Sequence, residues 1–137
     1  MKIMAIDYGE IRVGIALTDP LGVIAQPYMT LKAKPQKALI DRLKFIIAEN
    51  SVGLILVGNP ISNRGLPTPM SETVLNFVER LKKSIAIEVK LWDERYTSQY
   101  AAVKLREFGI KKQTQKLDQV AAAIILEEYL NSCSRTA

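Results

Sequence analysis

Residues 52–58 form a continuous run of apolar residues and glycine, Val-Gly-Leu-Ile-Leu-Val-Gly, in which no polar side chain alternates with the apolar ones. Such a run is typical of a parallel strand that is covered on both faces. Parallel strands need long, usually helical connections. Apolar residues at helical spacing occur on both sides of the run, within residues 39–47 and 70–81. The chain is therefore predicted to adopt an α/β fold with helices on both faces of the sheet.

The other segments complete a five-stranded mixed sheet. Segments 2–7, 12–18 and 23–31 have strand character and are separated by short turn-forming stretches, which predicts three consecutive antiparallel strands. A helix that starts near Pro35 precedes the buried run, and a helix capped by Thr68 with Pro69 at its first position follows it. A fifth strand is predicted over residues 85–92, then a short helix ending at Gly109 and a last helix from about 115 to 130. The predicted order is β-β-β-α-β-α-β-α-α, in one domain over residues 1–137.

Composition excludes several kinds of site. The chain has no histidine and only one cysteine, Cys133, which excludes histidine-dependent triads, histidine metal ligands, cysteine-rich zinc sites and a disulfide within one chain. No apolar run is long enough to span a membrane, and Asp7 comes too early for a signal peptide, so a cytoplasmic protein is expected. The net charge of +5 favours a nucleic-acid partner about as much as it favours a mildly basic protein without one.

Carboxylates stand at three places where ligands could bind. Asp7 ends the first predicted strand, Asp93 and Glu94 follow the fifth, and Asp118 lies at the start of the last helix. Taken singly, each has an ordinary explanation as a turn residue or as a charge that stabilises a helix dipole. Adjacent residues on a strand point in opposite directions, so only one of Asp93 and Glu94 should face a cleft.

Taken together, the carboxylates predict metal-dependent phosphodiester chemistry. Hard oxygen ligands without histidine suit Mg²⁺ or Mn²⁺, and two such ions can activate a water and stabilise the leaving oxygen. Alanines at 121–123 would let the last helix lie close to the sheet. The basic residues near the acids are predicted to hold phosphates without reading sequence, although a solvated surface explains Lys111 and Lys112 equally well. These residues are Arg12, Arg95, Lys111, Lys112 and Lys116.

At these positions the chain resembles the YqgF (RuvX) family along almost its whole length. The resemblance is carried by Asp7-Tyr8-Gly9 with Arg12, Gly14 and Ala16, by Val57-Gly58-Asn59-Pro60, by Asp93-Glu94-Arg95 with Thr97-Ser98, and by Lys116-Leu117-Asp118 with Ala121-Ala122, Ile125-Leu126 and Tyr129-Leu130. It implies an RNase H-like fold and a nuclease, a hydrolase acting on ester bonds. The implied role is maturation of the 5′ end of the small-subunit ribosomal RNA precursor, with resolution of branched DNA as the older suggestion. Carried over by position, it implies Asp7, Glu94 and Asp118 as catalytic, metal-binding acids and Arg12 and Arg95 as phosphate contacts.

The sequence departs from the family pattern in one loop, and two rival functions stay open. The family often has an acidic, glycine-rich loop after its Gly-x-Pro segment, whereas residues 61–67 here contain no carboxylate, so the range of substrates is open. One rival is a nucleotide-binding protein, since Asp7 and the hairpin after it resemble the phosphate-binding hairpin of actin-like ATPases. The other is a non-catalytic RNA-binding factor in ribosome assembly. Monomer and homodimer are both compatible with the sequence.

Overall fold

The computed structural model describes residues 1–61, 64–94, 107 and 114–136. The strands and longer helices in these ranges are β1 (Lys2–Tyr8), β2 (Arg12–Thr18), β3 (Ala25–Lys32), α1 (Gln36–Asn50), β4 (Val52–Pro60), α2 (Pro69–Ser84), β5 (Glu88–Glu94) and α3 (Thr114–Thr136).

The strands form one mixed sheet in the order β3-β2-β1-β4-β5. β1 and β2 are antiparallel, as are β2 and β3, whereas β1 pairs with β4 and β4 with β5 in parallel. The three parallel strands end at the same edge of the sheet, where Asp7 is the next-to-last residue of β1 and Pro60 of β4 is in register with Glu94 of β5. This topology confirms the predicted five-stranded mixed sheet and brings two of the candidate acids to one edge.

Helices cover both faces of the sheet, as predicted. On one face, large apolar side chains of α1 and α2, including Leu43 and Phe77, pack against β1, β2 and β4. On the other face, α3 packs through Ala122, Ala123 and Ile125 onto small strand residues such as Ala5. The α3 layer therefore meets the sheet partly through alanines, whereas the described core under α1 and α2 has one alanine, Ala33.

The beginning of α2 confirms the predicted cap. The Thr68 N–H donates to the Ser71 hydroxyl at 2.9 Å, and both hydroxyls donate to the carbonyl oxygen of Pro60, at 2.9 Å from Thr68 and 2.6 Å from Ser71. Pro69 is the first residue of the helix, where its missing N–H costs no hydrogen bond. These bonds fix the start of α2 to the end of β4 that borders the candidate site.

Two strand boundaries differ from the prediction. β3 begins at Ala25 rather than at residue 23, because the N–H groups of Val23 and Ile24 donate to the Asp19 carboxylate at 2.7 and 2.8 Å instead of pairing in the sheet. β5 begins at Glu88 rather than at residue 85, because the Ile85 N–H closes α2 on the carbonyl of Leu81. β5 also runs through Glu94, so the adjacent carboxylates belong to the strand and do not follow it.

Other expectations fall outside the described residues. The short helix predicted after residue 97 and the basic loop at 110–113 lie there, apart from the helical residue Glu107. Among the described helices, none has the length and apolar character needed to cross a membrane. The single domain over residues 1–137 stays a prediction.

Candidate active site

Asp7 occupies the end of β1, on the face of the sheet that carries α3. Side chains alternate along the strand: Ile6 and Tyr8 belong to the core under α1 and α2, and Ala5 packs on the α3 side. Tyr8 is held on its face by stacking on Phe77, with ring centroids 4.3 Å apart. The Asp7 carboxyl therefore points to the α3 side, half-buried, beside its cross-strand partner Gly14.

Glu94 reaches the same side from β5. Two residues earlier, Trp92 donates its indole N–H to the Glu128 carboxylate of α3 at 3.1 Å. Because side chains two residues apart on a strand lie on the same face, Glu94 also lies on the α3 side. A Cβ atom on Gly58 of β4 would lie only 2.6 Å from Oε2 of Glu94, so the carboxylate covers that glycine. Asp93 is exposed and instead accepts a 3.3 Å hydrogen bond from the Asn59 side chain. As strand alternation predicts, the adjacent carboxylates point to opposite sides.

Asp118 is brought to Asp7 by the close approach of α3 to β2. A Cβ atom on Gly14 would lie 1.9 Å from the backbone oxygen of Asp118, so only glycine leaves room for the helix backbone here. The Asp118 carboxylate accepts a 2.9 Å ion pair through Oδ2 from Nε of Arg12. The sequence predicted Asp118 at the start of the last helix. Because α3 begins at Thr114, Asp118 instead lies in its second turn.

The three acids act on one another electrostatically. The pKa of Asp7 is raised well above its ordinary value, first by burial, then by the negative charge of Glu94 and then by that of Asp118. In the described part of the chain, no three acidic or thiol side chains converge closely enough to enclose an ion as they stand. Hard oxygen donors that repel one another are nevertheless the donor set that a divalent cation would neutralise. The chemistry of these side chains therefore fits a metal.

The structure places only part of the predicted basic set. Arg12 lies beside the acids through its ion pair with Asp118. Arg95, Lys111 and Lys112 lie outside the described residues, and Lys116 lies on α3 with its side chain outside them.

Sequence reasoning missed several contacts at this edge. It predicted no contact for Gly14, Gly58 or Asn59. In the structure, Asp118 packs against Gly14 and Glu94 packs against Gly58. The Oδ1 atom of Asn59 is buried without a hydrogen-bond partner in the described residues. The only signal in the sequence was the glycine content of two otherwise regular strands, which indicates close approach of other groups.

Comparison with known proteins identifies the family. The family model described as "RuvX: Holliday junction resolvase" matches residues 1–132. A protein of Thermoanaerobacter pseudethanolicus with the name "Putative pre-16S rRNA nuclease" is 38% identical over 135 residues, covering 96% of this chain and 97% of the relative. A protein of Dictyoglomus turgidum with the same name is 38% identical over 136 residues, covering 98% and 96%.

Solved structures with low sequence identity confirm the fold. Thermus thermophilus RuvC has a TM-score of 0.63 at 16% identity and covers 100% of this chain and 98% of its own. The Fowlpox virus resolvase in complex with Holliday junction DNA has a TM-score of 0.58 at 14% identity, covering 97% and 99%. Both therefore share the overall fold of this chain. With the match over residues 1–132 and relatives 38% identical along nearly their whole length, this chain belongs to the RuvX family of resolvase-type nucleases.

Proposed function

We propose that this protein hydrolyses phosphodiester bonds in the precursor of small-subunit ribosomal RNA, using Asp7, Glu94 and Asp118 with a divalent cation. The observation that carries the proposal is the convergence of these carboxylates where β1, β5 and α3 meet: Asp118 lies against Gly14, the cross-strand partner of Asp7, and burial together with the charges of Glu94 and Asp118 raises the pKa of Asp7. Perturbed acids at the carboxyl edge of parallel strands are typical of functional sites.

The cation that best suits these ligands is Mg²⁺ or Mn²⁺, because both prefer carboxylate oxygens. Asp7, Glu94 and Asp118 would hold it, with Oδ1 of Asp118 taking no part in the ion pair to Arg12. When bound, such an ion activates a water molecule and neutralises charge on the leaving oxygen.

The side chains of the site divide the remaining work. Asp7 must lose its proton before it can ligate a cation, and its raised pKa makes that step depend on pH. Arg12 offers a guanidinium group at the rim, where the terminal NH₂ groups take no part in the ion pair with Asp118 and can hold a phosphate. In the reaction, a water oxygen bonds to phosphorus, the bond to the ribose oxygen breaks, and a proton goes to that oxygen.

RNA is the substrate we favour. The curated relatives that match nearly the whole chain carry a pre-16S rRNA nuclease name, and a net charge of +5 suits a polyanion. A branched DNA junction is the second candidate, because the matching family model is described as a Holliday junction resolvase. A non-catalytic RNA-binding factor would instead bind without cutting.

A cleavage assay with matched variants tests the proposal. Labelled single-stranded RNA, a ribosomal precursor 5′ segment and a four-way DNA junction would each be incubated with Mg²⁺, Mn²⁺ or EDTA. Asp7→Asn and Glu94→Gln should lower the cleavage rate roughly a hundredfold or more, since each removes a cation ligand. Asp93→Asn is the control, because Asp93 is the neighbouring carboxyl on the opposite side of β5, and it should cut like the wild type.

Each outcome has a distinct meaning. Faster cutting of the precursor than of the junction supports the RNA assignment, and the reverse order favours the DNA candidate. Cutting that persists in EDTA, or an Asp93→Asn protein as impaired as Glu94→Gln, would contradict the proposed site. Binding without cutting under every condition would leave the assembly-factor function in its place.

A further inference from the structure

A groove of about 430 Å³ runs between α1 and α2, on the face of the sheet opposite the three acids. Its walls are the early part of α1 and the end of α2, its floor includes the buried side chain of Ile40, and it is open to solvent. The candidate site lies on the other face of the sheet, which α3 covers, so none of the contacts described for that site uses this groove.

The groove is lined mainly by positive charge. The lining includes one carboxylate, Asp41, and four cationic side chains, Lys37, Lys44, Arg80 and Lys83. All four are exposed, and none forms an ion pair with a described residue. An excess of unneutralised cations in one concave surface raises the local concentration of anions.

The arrangement of the cations fits an extended anion. Lys37 and Lys44 are seven residues apart on α1, which places them about 10 Å apart along the helix axis. Lys83 stands on the facing wall, near the end of α2. Charges spread along both walls of an open groove suit a chain of phosphates better than a single small anion.

Side-chain hydrogen bonds link the groove to the strand that carries Asp7. Arg80 donates to the side-chain oxygen of Gln36, whose NH₂ group donates to the Tyr8 hydroxyl at 3.2 Å. Tyr8 follows Asp7 in β1 and packs on the α1/α2 side of the sheet. Gln36, at the beginning of α1, therefore joins the groove lining to the strand that carries Asp7.

We infer that this groove is a second contact surface for the RNA substrate, which holds the phosphodiester backbone beyond the cleavage site without reading base sequence. The inference rests on the proposed nuclease function, because the strand that enters the groove is the one cut at Asp7. An acidic protein segment has complementary charge too, but the link through Gln36 and Tyr8 to the strand that carries Asp7 favours the nucleic acid.

Two double variants with the same change in net charge test the inference. Lys44→Gln with Lys83→Gln removes one cation from each wall of the groove. Arg42→Gln with Lys82→Gln removes one exposed cation from each of the same helices, away from the groove lining. Fluorescence anisotropy would measure the binding of labelled single-stranded RNA to each protein in EDTA over a range of KCl concentrations. Thermal unfolding would verify that both variants are folded.

The groove variant should bind RNA roughly tenfold more weakly than the control variant at low salt. Its slope of log affinity against log salt should be shallower by about 1.4, the value for two lost phosphate contacts on a single strand. In Mg²⁺, it should cut at low RNA concentration more slowly than the control. Equal affinity and equal salt slope for the two variants would overturn the inference.

Two further results separate this inference from the proposed function. If wild type and both variants cut RNA equally, the nuclease stands and the groove inference fails. If wild type neither binds nor cuts RNA, both fail together. Polyglutamate is the probe for an acidic protein partner: loss of its binding in the groove variant, with RNA binding unchanged, would assign the groove to such a partner and overturn the inference.

Discussion

The two faces of the sheet differ in how many alanines they bury. Under α1 and α2 the buried core includes Met4, Leu43 and Phe77 and has one alanine among the described residues, whereas the core under α3 combines alanines of the helix and the strands with larger residues such as Leu54 and Leu56. Large side chains hold a helix away from the strands and bury more apolar area, which stabilises the fold. Small side chains let the helix backbone reach the sheet, and at Gly14 they place Asp118 beside Asp7.

This difference separates stability from chemistry. On the α3 face, burial and then the charges of the neighbouring acids raise the pKa of Asp7, an arrangement that costs stability in the absence of a cation. The apolar core on the opposite face offsets that cost. Such a division is the usual relation between a strained site and the scaffold that holds it.

The largest expected effect on stability is on the α1/α2 face. Leu43 is fully buried there, so Leu43→Ala should lower the free energy of unfolding by about 2–5 kcal/mol, measured by urea denaturation. Cleavage per folded molecule should be unchanged, because Leu43 faces away from the acids. Leu75→Ala, at an exposed position of α2, is the control and should cost about 0.5 kcal/mol or less.

Glycine substitutions probe the α3 face next. Gly14→Ala would place a Cβ against the backbone of Asp118, which cannot move without shifting α3, and should cost about 1–3 kcal/mol together with most of the cleavage activity. Gly58→Ala meets the side chains of Glu94 and Ile125 instead, which can rotate. It should therefore cost less stability in urea denaturation while still lowering the cleavage rate. A fully stable Gly14→Ala protein would show that the approach of α3 is looser than the structure indicates.

Neutralising Asp7 should stabilise the protein. Folded Asp7 holds its proton more tightly than the unfolded chain, so the free energy of unfolding should fall as the pH rises from 3.8, the ordinary aspartate pKa, through the raised pKa of the folded state. Asp7→Asn should remove this pH dependence and gain about 0.5–2 kcal/mol at neutral pH without added metal. Thermal unfolding at several pH values measures both effects. A destabilised variant with the wild-type pH dependence would contradict the electrostatic account.

The smallest stability effect is expected at Arg12. Its ion pair with Asp118 is partly exposed, with 37% of the Arg12 side chain accessible, so Arg12→Gln should cost less than about 1 kcal/mol. Affinity for Mn²⁺ should rise, because a competing cation is removed from Asp118, while affinity for RNA falls. Calorimetric titration with Mn²⁺ and anisotropy with RNA would measure the two changes. An unchanged Mn²⁺ affinity would show that the ion pair and the cation do not compete.

Regular periodicity made most of the fold predictable from the sequence. The buried run at 52–58 lies within β4, and the Thr68-Pro69 start of α2 was predicted to the residue. The boundaries that failed depend on hydrogen bonds that apolar patterns do not reveal. Val23 and Ile24 have strand-like side chains, yet the Asp19 carboxylate takes their N–H groups.

The candidate site was predictable as a set of residues but not as an arrangement. Strand alternation predicted that only one of Asp93 and Glu94 faces a cleft, and the family resemblance indicated Glu94. The ion pair between Arg12 and Asp118 joins residues 106 positions apart, which no local pattern could show. The cations of the groove between α1 and α2 are spread from residue 37 to 83, so only the packing of the two helices brings them together.

The central claim is that Asp7, Glu94 and Asp118 form one cation site, and titration calorimetry with Mn²⁺ tests it most directly. Wild type and Asp93→Asn should bind Mn²⁺ with the same affinity, because Asp93 is not a ligand. Asp7→Asn should bind Mn²⁺ at least tenfold more weakly, because it removes a ligand as well as a charge. Equal Mn²⁺ affinity for Asp7→Asn and Asp93→Asn would contradict the account, because the cation would then respond to the overall charge of the edge and not to the three acids.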